Sequence, residues 1–409
     1  MRFSLSEISR LLPIAKRRMA NSLITWLQKL LLTEHYKKDV FKRSYTKRVL
    51  MCHLPEAFSK KELPKYHSNL TECHTIAKCF DKLGYSVDCV SRTKTGIDYS
   101  KYDIVFGING NAFMESFSSN VKALKIFYPV GAETFFNYRV TTLRNRDFHN
   151  RHGIWMLNAN RYIPGDARTY YETHLSDAVI CLGDEYVFNK YIEEDMLNDK
   201  YYWLPAFHFQ TVDTCTKKDF EKCRKSILWF GSSGMVHKGL DIAIDFAMEH
   251  PEYMLHICGG SRLETDFWNY YTPKIKACRN IHNHGFVDIE SDKFAQILSQ
   301  CGILLNPSIS EGGAVAVLNV LGNGALLPVY SKATGIELSG CGVCVPDVTY
   351  KAFEDALIKL ESFPTEEFEK KALSAHTLVK ENYTIEKYEE RMYCRLKEII
   401  EKKQQYDEL

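Results

Sequence analysis

From Asn306 to Asn319 the chain reads Asn-Pro-Ser-Ile-Ser-Glu-Gly-Gly-Ala-Val-Ala-Val-Leu-Asn, an order of residue types suited to holding a phosphorylated ligand. A buried strand ends at Leu305, a short loop follows, and a helix opens near Glu311–Gly313. Helix N-termini present backbone N–H groups without intrahelical partners and a partial positive charge. They bind phosphate readily, and glycines let it approach. Along the helix Gly312–Asn323, Ala314, Val317, Leu318 and Leu321 recur at helical spacing and face the core. Gly312, Ala316, Asn319 and Asn323 share roughly the opposite side, where a solvated helix would carry Lys and Glu. That stripe faces either a ligand or another backbone. Close helix packing accounts for its glycine and alanine better than for its two asparagines.

A second segment, Trp229-Phe-Gly-Ser-Ser-Gly-Met-Val-His-Lys-Gly-Leu-Asp241, has a strand, a flexible loop and a helix start. A lysine at a helix N-terminus is electrostatically unfavourable unless an anion sits beside it. Lys238 next to Gly239 therefore suits a diphosphate.

These segments need a scaffold. Past residue 48 the sequence alternates strand-like and helix-like runs. Strands are expected at Arg48–His53, Tyr85–Val90, Tyr102–Ile108, Ala123–Pro129, Asp177–Leu182 and Tyr201–Leu204, with helices at His74–Leu83 and Glu185–Glu193. Polar residues dominate 210–225. The rhythm then restarts, with strands at Ile227–Phe230, Tyr253–Cys258, Ile303–Leu305, Leu326–Tyr330 and Gly342–Val345, and helices at Leu240–Glu249 and Gly312–Asn323. Phe294–Cys301 leads from helix towards strand. This is the β-α-β rhythm of two α/β, Rossmann-like parallel-sheet domains facing across a cleft. The organisation expected is a basic amphipathic region at 1–48, a first Rossmann-like domain at 49–209, a linker at 210–225, a second Rossmann-like domain at 226–382 and a terminal helix at 383–409; the resemblance set out below implies that the first is the acceptor side, the second binds the nucleotide sugar and the helix crosses back.

The chain has 409 residues and a net charge of +2, which argues against a protein devoted to nucleic acid. Its charge is uneven. Residues 1–48 carry twelve Lys/Arg against three Asp/Glu, leaving 41 against 48 for the rest. Leucine-rich pieces around Ile8–Met19 and Leu23–Leu30 join those cations and Trp26. Together they suit either an anionic membrane surface or a helix packed with a solvated basic side. No run reaches the ~20 apolar residues of a membrane span, and no secretory leader is legible. Thirteen scattered cysteines read as reduced, cytoplasmic thiols. Cys341-Gly-Val-Cys344 stands alone and reads as a strand between turns rather than a metal or redox site. No G-x-G-x-x-G follows a strand, which disfavours a dinucleotide-dependent dehydrogenase.

Taken in order, Phe230-Gly231, Lys238-Gly239-Leu240-Asp241, Ile257-Cys258-Gly259, His284-Gly285-Phe286-Val287, Pro307-Ser-x-x-Glu311-Gly312, Gly324 with Pro328, and Gly335-Ile-Glu337 resemble the C-terminal domain of family-4 glycosyltransferases. These are the group-1 retaining enzymes of the two-domain B fold. Glu381-Asn-Tyr-Thr with Tyr388 resembles the family's end helix that crosses back to the N-domain. The resemblance implies transfer of a sugar from a nucleoside-diphosphate sugar to a glycan or lipid-linked acceptor, in cell-surface polysaccharide synthesis, with no metal and no cofactor. It implies that Glu311 binds donor-sugar hydroxyls and that Gly312, Gly313 and Ala314 offer amides to the diphosphate. Lys238 would neutralise the leaving phosphate, Gly231, Ser232 and Gly259 would border it, and Phe286 and Val287 would line the base pocket.

Departures from the pattern matter too. The family's ribose-binding Glu is Asn319 here, which can still bond a hydroxyl. An Arg usual after the glycine is Ser232, with Arg262 a candidate replacement cation. The glycine-rich loop after the first strand is replaced by Cys52-His-Leu-Pro-Glu56. In the N-domain, Tyr128–Asn137 with Arg144 and Arg151-His-Gly153 resembles bacterial polysaccharide-biosynthesis members, with Glu133 where a His is common. Glu133 is either a residue for the acceptor hydroxyl or a solvated carboxylate. Arg139, Arg144, Arg146, Arg151 and Arg161, with His149 and His152, either receive a phosphorylated lipid or form a solvated, salt-bridged face. Two other readings stand beside the transferase: a scaffold that binds donor without turnover, and a nucleotide-sugar 2-epimerase on the same fold. The transferase would work in the cytoplasm, peripheral on the inner face of the membrane.

Overall fold

The computed structural model describes residues 36–407, apart from 61, 121, 159–166, 196–197, 215–217 and 339. The leucine-rich pieces before residue 36, and Arg161, lie outside the described residues. Among the described residues there are two mostly parallel sheets. The first is built from β1 (Tyr36–Lys37), β2 (Arg48–His53), β3 (Ser86–Ser91), β4 (Ile104–Gly107), β5 (Leu124–Phe127), β6 (Ala178–Leu182) and β7 (Tyr201–Leu204), in spatial order β1-β3-β2-β4-β5-β6-β7. β1 is its antiparallel edge. The second is built from β8 (Ser226–Gly231), β9 (Met254–Gly259), β10 (Ile281–Gly285), β11 (Ile303–Asn306), β12 (Leu327–Ser331) and β13 (Val343–Val345), ordered β10-β9-β8-β11-β12-β13. The central strands are Val/Ile/Leu-rich and buried, as parallel strands covered on both faces must be.

Among the parallel strands each order reverses once: between β2 and β4 in the first sheet, and between β8 and β11 in the second. Helices that run off the strands on either side of such a point diverge to opposite faces and leave a crevice beyond the carboxyl ends. β2 ends at His53, β8 at Gly231 and β11 at Asn306, so the sequence segments singled out above lie at the second sheet's crevice.

The halves are joined more intimately than a polar linker would join them. One buried cluster runs from Val49 and Met51 through Phe207 and Phe209 to Val317 and Leu321, and on to Tyr388 and Leu396. The terminal helix Ile385–Asp407 lies against the first half. Its Tyr388 hydroxyl meets that of Tyr128 at 3.0 Å, and its Glu389 pairs with Lys82 at 2.6 Å. Within 210–225, Phe220 and Cys223 belong to the second half's core, and the Thr211 and Val212 amides donate to Asn323 Oδ1 at 2.7 and 2.8 Å. Residues 36–48 are likewise part of the first half: Tyr36–Lys37 extends its sheet, and Arg48 pairs with Asp88 at 3.0 Å.

The helix Thr134–His152 departs most from expectation. Arg144 and Arg151 belong to neither a phosphate receptor nor a solvated face, because the inner side of the helix docks on the second half, whereas Arg139 pairs with Glu194 on the solvated outer side. Arg144 and Arg151 both reach Asp241, Arg151 and His152 reach Asp245, and Asp147 lies between the two arginines. Tyr271 donates to Asp245 at 2.9 Å. Phe148 and Met156 fill the second half's core beside them. Arg139 and Arg146 remain exposed on the outer side. Opposite charges surround each buried ion, and that is the condition for keeping charge in a low-dielectric interior. Removing the shared acceptor leaves the buried Arg144 with Asp147 alone and Arg151 with Asp147 and Asp245, so the cluster loses the anion that ties both cations to the second half. Asp241→Ala is expected to cost about 3–5 kcal/mol in urea unfolding; a loss below about 1 kcal/mol would show that the cluster does not hold the halves together.

Candidate functional site

The crevice of the second sheet opens into a cavity of about 680 Å³ between the halves, a size that suits a small-molecule ligand. Its second-half wall is made of Gly231, Ser232, Ser233 and Lys238 after β8, Gly259–Ser261 after β9, Phe286 and Val287 after β10, and Asn306, Glu311, Gly312 and Ala314–Val317 after β11. The first half contributes Lys65, Tyr66, Ser68, Asn69, Glu72 and Val130.

The loop after β8 is shaped from two directions. The buried Glu264 carboxylate accepts from the Gly234 and Met235 amides at 2.6 and 2.9 Å, which fixes the tight turn. The indole N–H of Trp229 donates to the Lys238 carbonyl at 3.0 Å. A Cβ on Gly259 would stand 1.7 Å from the Gly231 carbonyl oxygen, so only glycine lets β8 and β9 end so close together. Gly239, with φ +66°, abuts Pro307 where a Cβ would approach within 2.4 Å. These constraints lay Lys238 alongside the Pro307–Glu311 loop. There its ammonium group pairs with the Glu311 carboxylate, which also accepts from the Ser308 hydroxyl at 2.7 Å.

The helix expected at Gly312–Asn323 begins later, at Val315. Ala314 stands before it in the left-handed region at φ 36° and ψ 55°, a conformation that costs a non-glycine residue about 1–3 kcal/mol. The preceding Gly313 has φ +103°. Together they turn the chain so that the first turn of the helix faces the cavity. The Glu311 amide donates to the Ala333 carbonyl at 3.0 Å, and His237 bridges the Ser310 carbonyl at 2.7 Å to the Thr141 hydroxyl of the first half at 3.3 Å. Strain at the helix start is thus held from both sides of the cleft.

Gly231, Ser232, Lys238, Gly259, Phe286, Val287, Glu311, Gly312, Ala314 and Asn319 are brought together around the cavity. Three other candidates stand apart. Gly313 packs against the other half, where a Cβ would lie 2.8 Å from Ala206. Arg262 is exposed and outside the lining. Glu133 is outside the lining too, and it is not a solvated carboxylate: it is buried and accepts from the Phe136 amide at 2.6 Å, capping the helix Thr134–His152. Burial pushes its pKa up, against the pull of the capped amides.

The asparagine stripe faces backbone. Asn319 Oδ1 accepts from the Phe209 amide at 2.8 Å, and Asn323, fully buried, donates to the Phe209 carbonyl at 2.7 Å. Asn319 borders the cavity with its carbonyl oxygen already engaged by the chain that joins the halves. Cys341 and Cys344 are free thiols flanking or within β13.

Sequence reasoning missed Glu264 and Glu72. Both are buried polar residues, Glu72 in a helix and Glu264 just before one, and only the fold turns them toward the cavity and the loop. Glu72 keeps 2% of its surface exposed, and its Oε2 has no hydrogen-bond partner. Burial pushes its pKa up to about 7. Phe286, by contrast, is 72% exposed at the cavity mouth, edge-to-face with Tyr66 of the other half at 6.1 Å.

No protein-family model and no curated protein matches this sequence. Solved structures do. Sucrose-phosphate synthase from Thermosynechococcus elongatus aligns at TM-score 0.58 and 9% identity, over 87% of this chain and 99% of its own. Anabaena HepE in complex with UDP and glucose aligns at 0.54 and 12%, over 87% and 100%. A glycosyltransferase from Rickettsia africae aligns at 0.52 and 13%, over 87% and 99%. The chain also matches TarM of S. aureus at 0.49, spanning 55% of that protein's length. The fold is the glycosyltransferase B fold.

Gly312 meets the Gly131 backbone across the cleft, where a Cβ would lie 2.8 Å from Gly131 Cα. Gly312→Ala must push the halves apart and is expected to lower stability by about 1–3 kcal/mol. Unaltered stability in chemical denaturation would show that the two glycines do not set the spacing of the cleft.

Proposed function

We propose that this protein transfers a sugar, with retention, from a nucleoside-diphosphate sugar to a glycan or lipid-linked acceptor. The observation that carries the reading is the Lys238–Glu311 pair beside the start of the helix Val315–Asn323, in one cavity at the second sheet's crevice. A cation and a helix N-terminus are what a departing diphosphate requires. A carboxylate next to them suits sugar hydroxyls. Phe286, an exposed ring at the mouth, offers a face for a base. HepE, of the same fold, was crystallised with UDP and glucose, which makes UDP and UDP-glucose the first probes.

In this reading the donor lies on the second half, with its diphosphate at Lys238 and the amides from Gly312 onward and its sugar hydroxyls at Glu311. The acceptor enters along the first-half wall. The bond between the anomeric carbon and the phosphate oxygen breaks, and its electron pair leaves with the phosphate. The acceptor oxygen attacks the same face. Lys238 stabilises the negative charge as it develops, and needs no metal ion to do so. Membrane-surface work through residues 1–48, in polysaccharide synthesis on the cytoplasmic side, completes the proposal. No helix among the described residues is long and apolar enough to cross a membrane.

One observation favours a second reading. Asn319, at the family's ribose-binding position, already holds the Phe209 amide, as it would in a scaffold that binds donor weakly and turns over little.

A nucleotide that truly fits, present at ~100 times its dissociation constant, adds about 2.7 kcal/mol, which thermal denaturation registers as a shift of several degrees. No shift with any nucleotide or nucleotide sugar would end both readings. Given a donor that shifts, Lys238→Ala is expected to weaken nucleotide binding, and Glu311→Ala to reduce sugar transfer on the order of 10²-fold with nucleoside-diphosphate affinity largely kept. Equal transfer by wild type and Glu311→Ala would remove Glu311 from the sugar site. Binding without release of nucleoside diphosphate would select the scaffold.

A further inference from the structure

The helix Thr134–His152 is turned inside out. Its Arg144 and Arg151 face the protein, where Asp241 and Asp245 hold them. Its apolar side chains face water instead. Phe135, Tyr138, Arg139, Leu143 and Arg146 recur every three or four residues on the exposed side, and Leu143 keeps 54% of its surface. A surface helix normally lays its apolar stripe on the core. The pattern continues past the helix end. Ile154, Trp155 and Leu157 are exposed in the segment that follows, and the helix Ala167–Leu175 adds Arg168, Tyr171 and Leu175. Ring contacts join the two helices: Phe135 meets Tyr170 edge to face at 5.3 Å, and Tyr170 lies 5.9 Å from Tyr171. Of the seventeen large hydrophobic residues exposed among the described residues, ten fall between Val130 and Leu175. Scattered single apolar residues need no explanation, but a joined group of this kind marks a contact surface.

Charge decides what the surface contacts. Among the described residues from 134 to 176, no exposed side chain is Asp or Glu, and three are Arg. Arg139 meets Glu194 of a neighbouring helix at 3.5 Å, an exposed pair of the kind that contributes little. The whole chain is nearly neutral at +2, so the one-signed stretch is a local feature. An anionic bilayer presents one sign of charge over its whole area and attracts each arginine near it. Trp and Tyr rings settle at the depth of its headgroups, and exposed Leu and Phe side chains enter the acyl boundary beneath.

We propose that the outer face of the helices Thr134–His152 and Ala167–Leu175, with the exposed residues that follow the first of them, is a docking surface for an anionic lipid bilayer. It is separate in sequence from residues 1–48, and it needs neither them nor the donor site. Val130, just before the first helix, is exposed and also lines the cavity. The docking surface therefore reaches the first-half wall of the cavity.

The test uses the full chain and sedimentation with two kinds of vesicle: phosphatidylcholine alone, and equal parts of phosphatidylcholine and phosphatidylglycerol. Wild type is expected to bind the mixed vesicles, and to bind them less as salt screens the charges. Arg139→Gln with Arg146→Gln should weaken that binding roughly 10- to 30-fold, and Leu143→Ser with Tyr171→Ser roughly tenfold. Substitutions at such exposed positions seldom disturb stability, and an unchanged thermal midpoint certifies each fold. A second readout locates the contact. Lipids brominated on the acyl chain quench indole emission nearby, and Trp155→Phe is expected to reduce the quenching while the protein still binds. Wild type that stays off both vesicles overturns the proposal. Double variants that bind as wild type does assign the binding to residues 1–48 instead, and also overturn it. So does quenching that Trp155→Phe leaves unchanged. Wild type that ignores vesicles but self-associates, with the association lost in Leu143→Ser with Tyr171→Ser, makes the face an interface between copies and overturns it too. Sugar transfer enters none of these outcomes, so the transferase reading is tested apart.

Discussion

Asp241 has no exposed surface and receives the guanidinium groups of both Arg144 and Arg151 from the other half of the molecule. Separating these groups would leave two cations and an anion in an apolar setting, and each uncompensated charge is worth several kcal/mol. The helix Thr134–His152 is therefore fixed to the second half, although its sequence belongs with the first. His237, bonded to Thr141 and to the Ser310 carbonyl, carries that fixation into the loop that ends at Glu311. The second-half wall of the cavity is thus steadied by a segment from across the cleft.

The opposite rim is built differently. Tyr66 meets Phe286 edge to face, and Lys65 pairs with Glu290 at 3.1 Å with both side chains well exposed. Exposed ion pairs contribute only about 0–1 kcal/mol, and a single aromatic pair little more. One edge of the cleft is held by buried charge and packed aromatics, and the other by contacts that water can replace. The Phe286 rim is therefore the more weakly held edge of the cleft.

Much of this was legible in the sequence. Buried parallel strands such as Arg48–His53 and Tyr201–Leu204 announce themselves by short apolar runs, and the helix Leu240–Glu249 by its periodicity. Strand Ile281–Gly285 did not, because it is an edge strand reading Ile-His-Asn-His-Gly with two exposed positions. The glycines and lysine of the cavity could be placed because their chemistry is local. Pairings across the fold could not. Arg144 looks like any surface arginine until Asp241 is set opposite it, and Glu72 like any helical glutamate until β2 and β4 part beside it. Asn319 and Asn323 carried a real signal, since two amides on a small-residue stripe must meet something polar. Only the fold shows that they meet the connecting chain at Phe209–Val212.

The Lys238 ammonium group is held by the Glu311 carboxylate, which the Ser308 hydroxyl also meets. If Lys238 receives a phosphate, as proposed above, binding would be an exchange: Lys238 would pass from carboxylate to phosphate, and Glu311 would need new donors. A free phosphate or pyrophosphate would supply the first half of that exchange but not the second, whereas a ligand bearing both phosphate and hydroxyl groups would satisfy both sides. In the proposed function the salt bridge would then act as a filter against small inorganic anions.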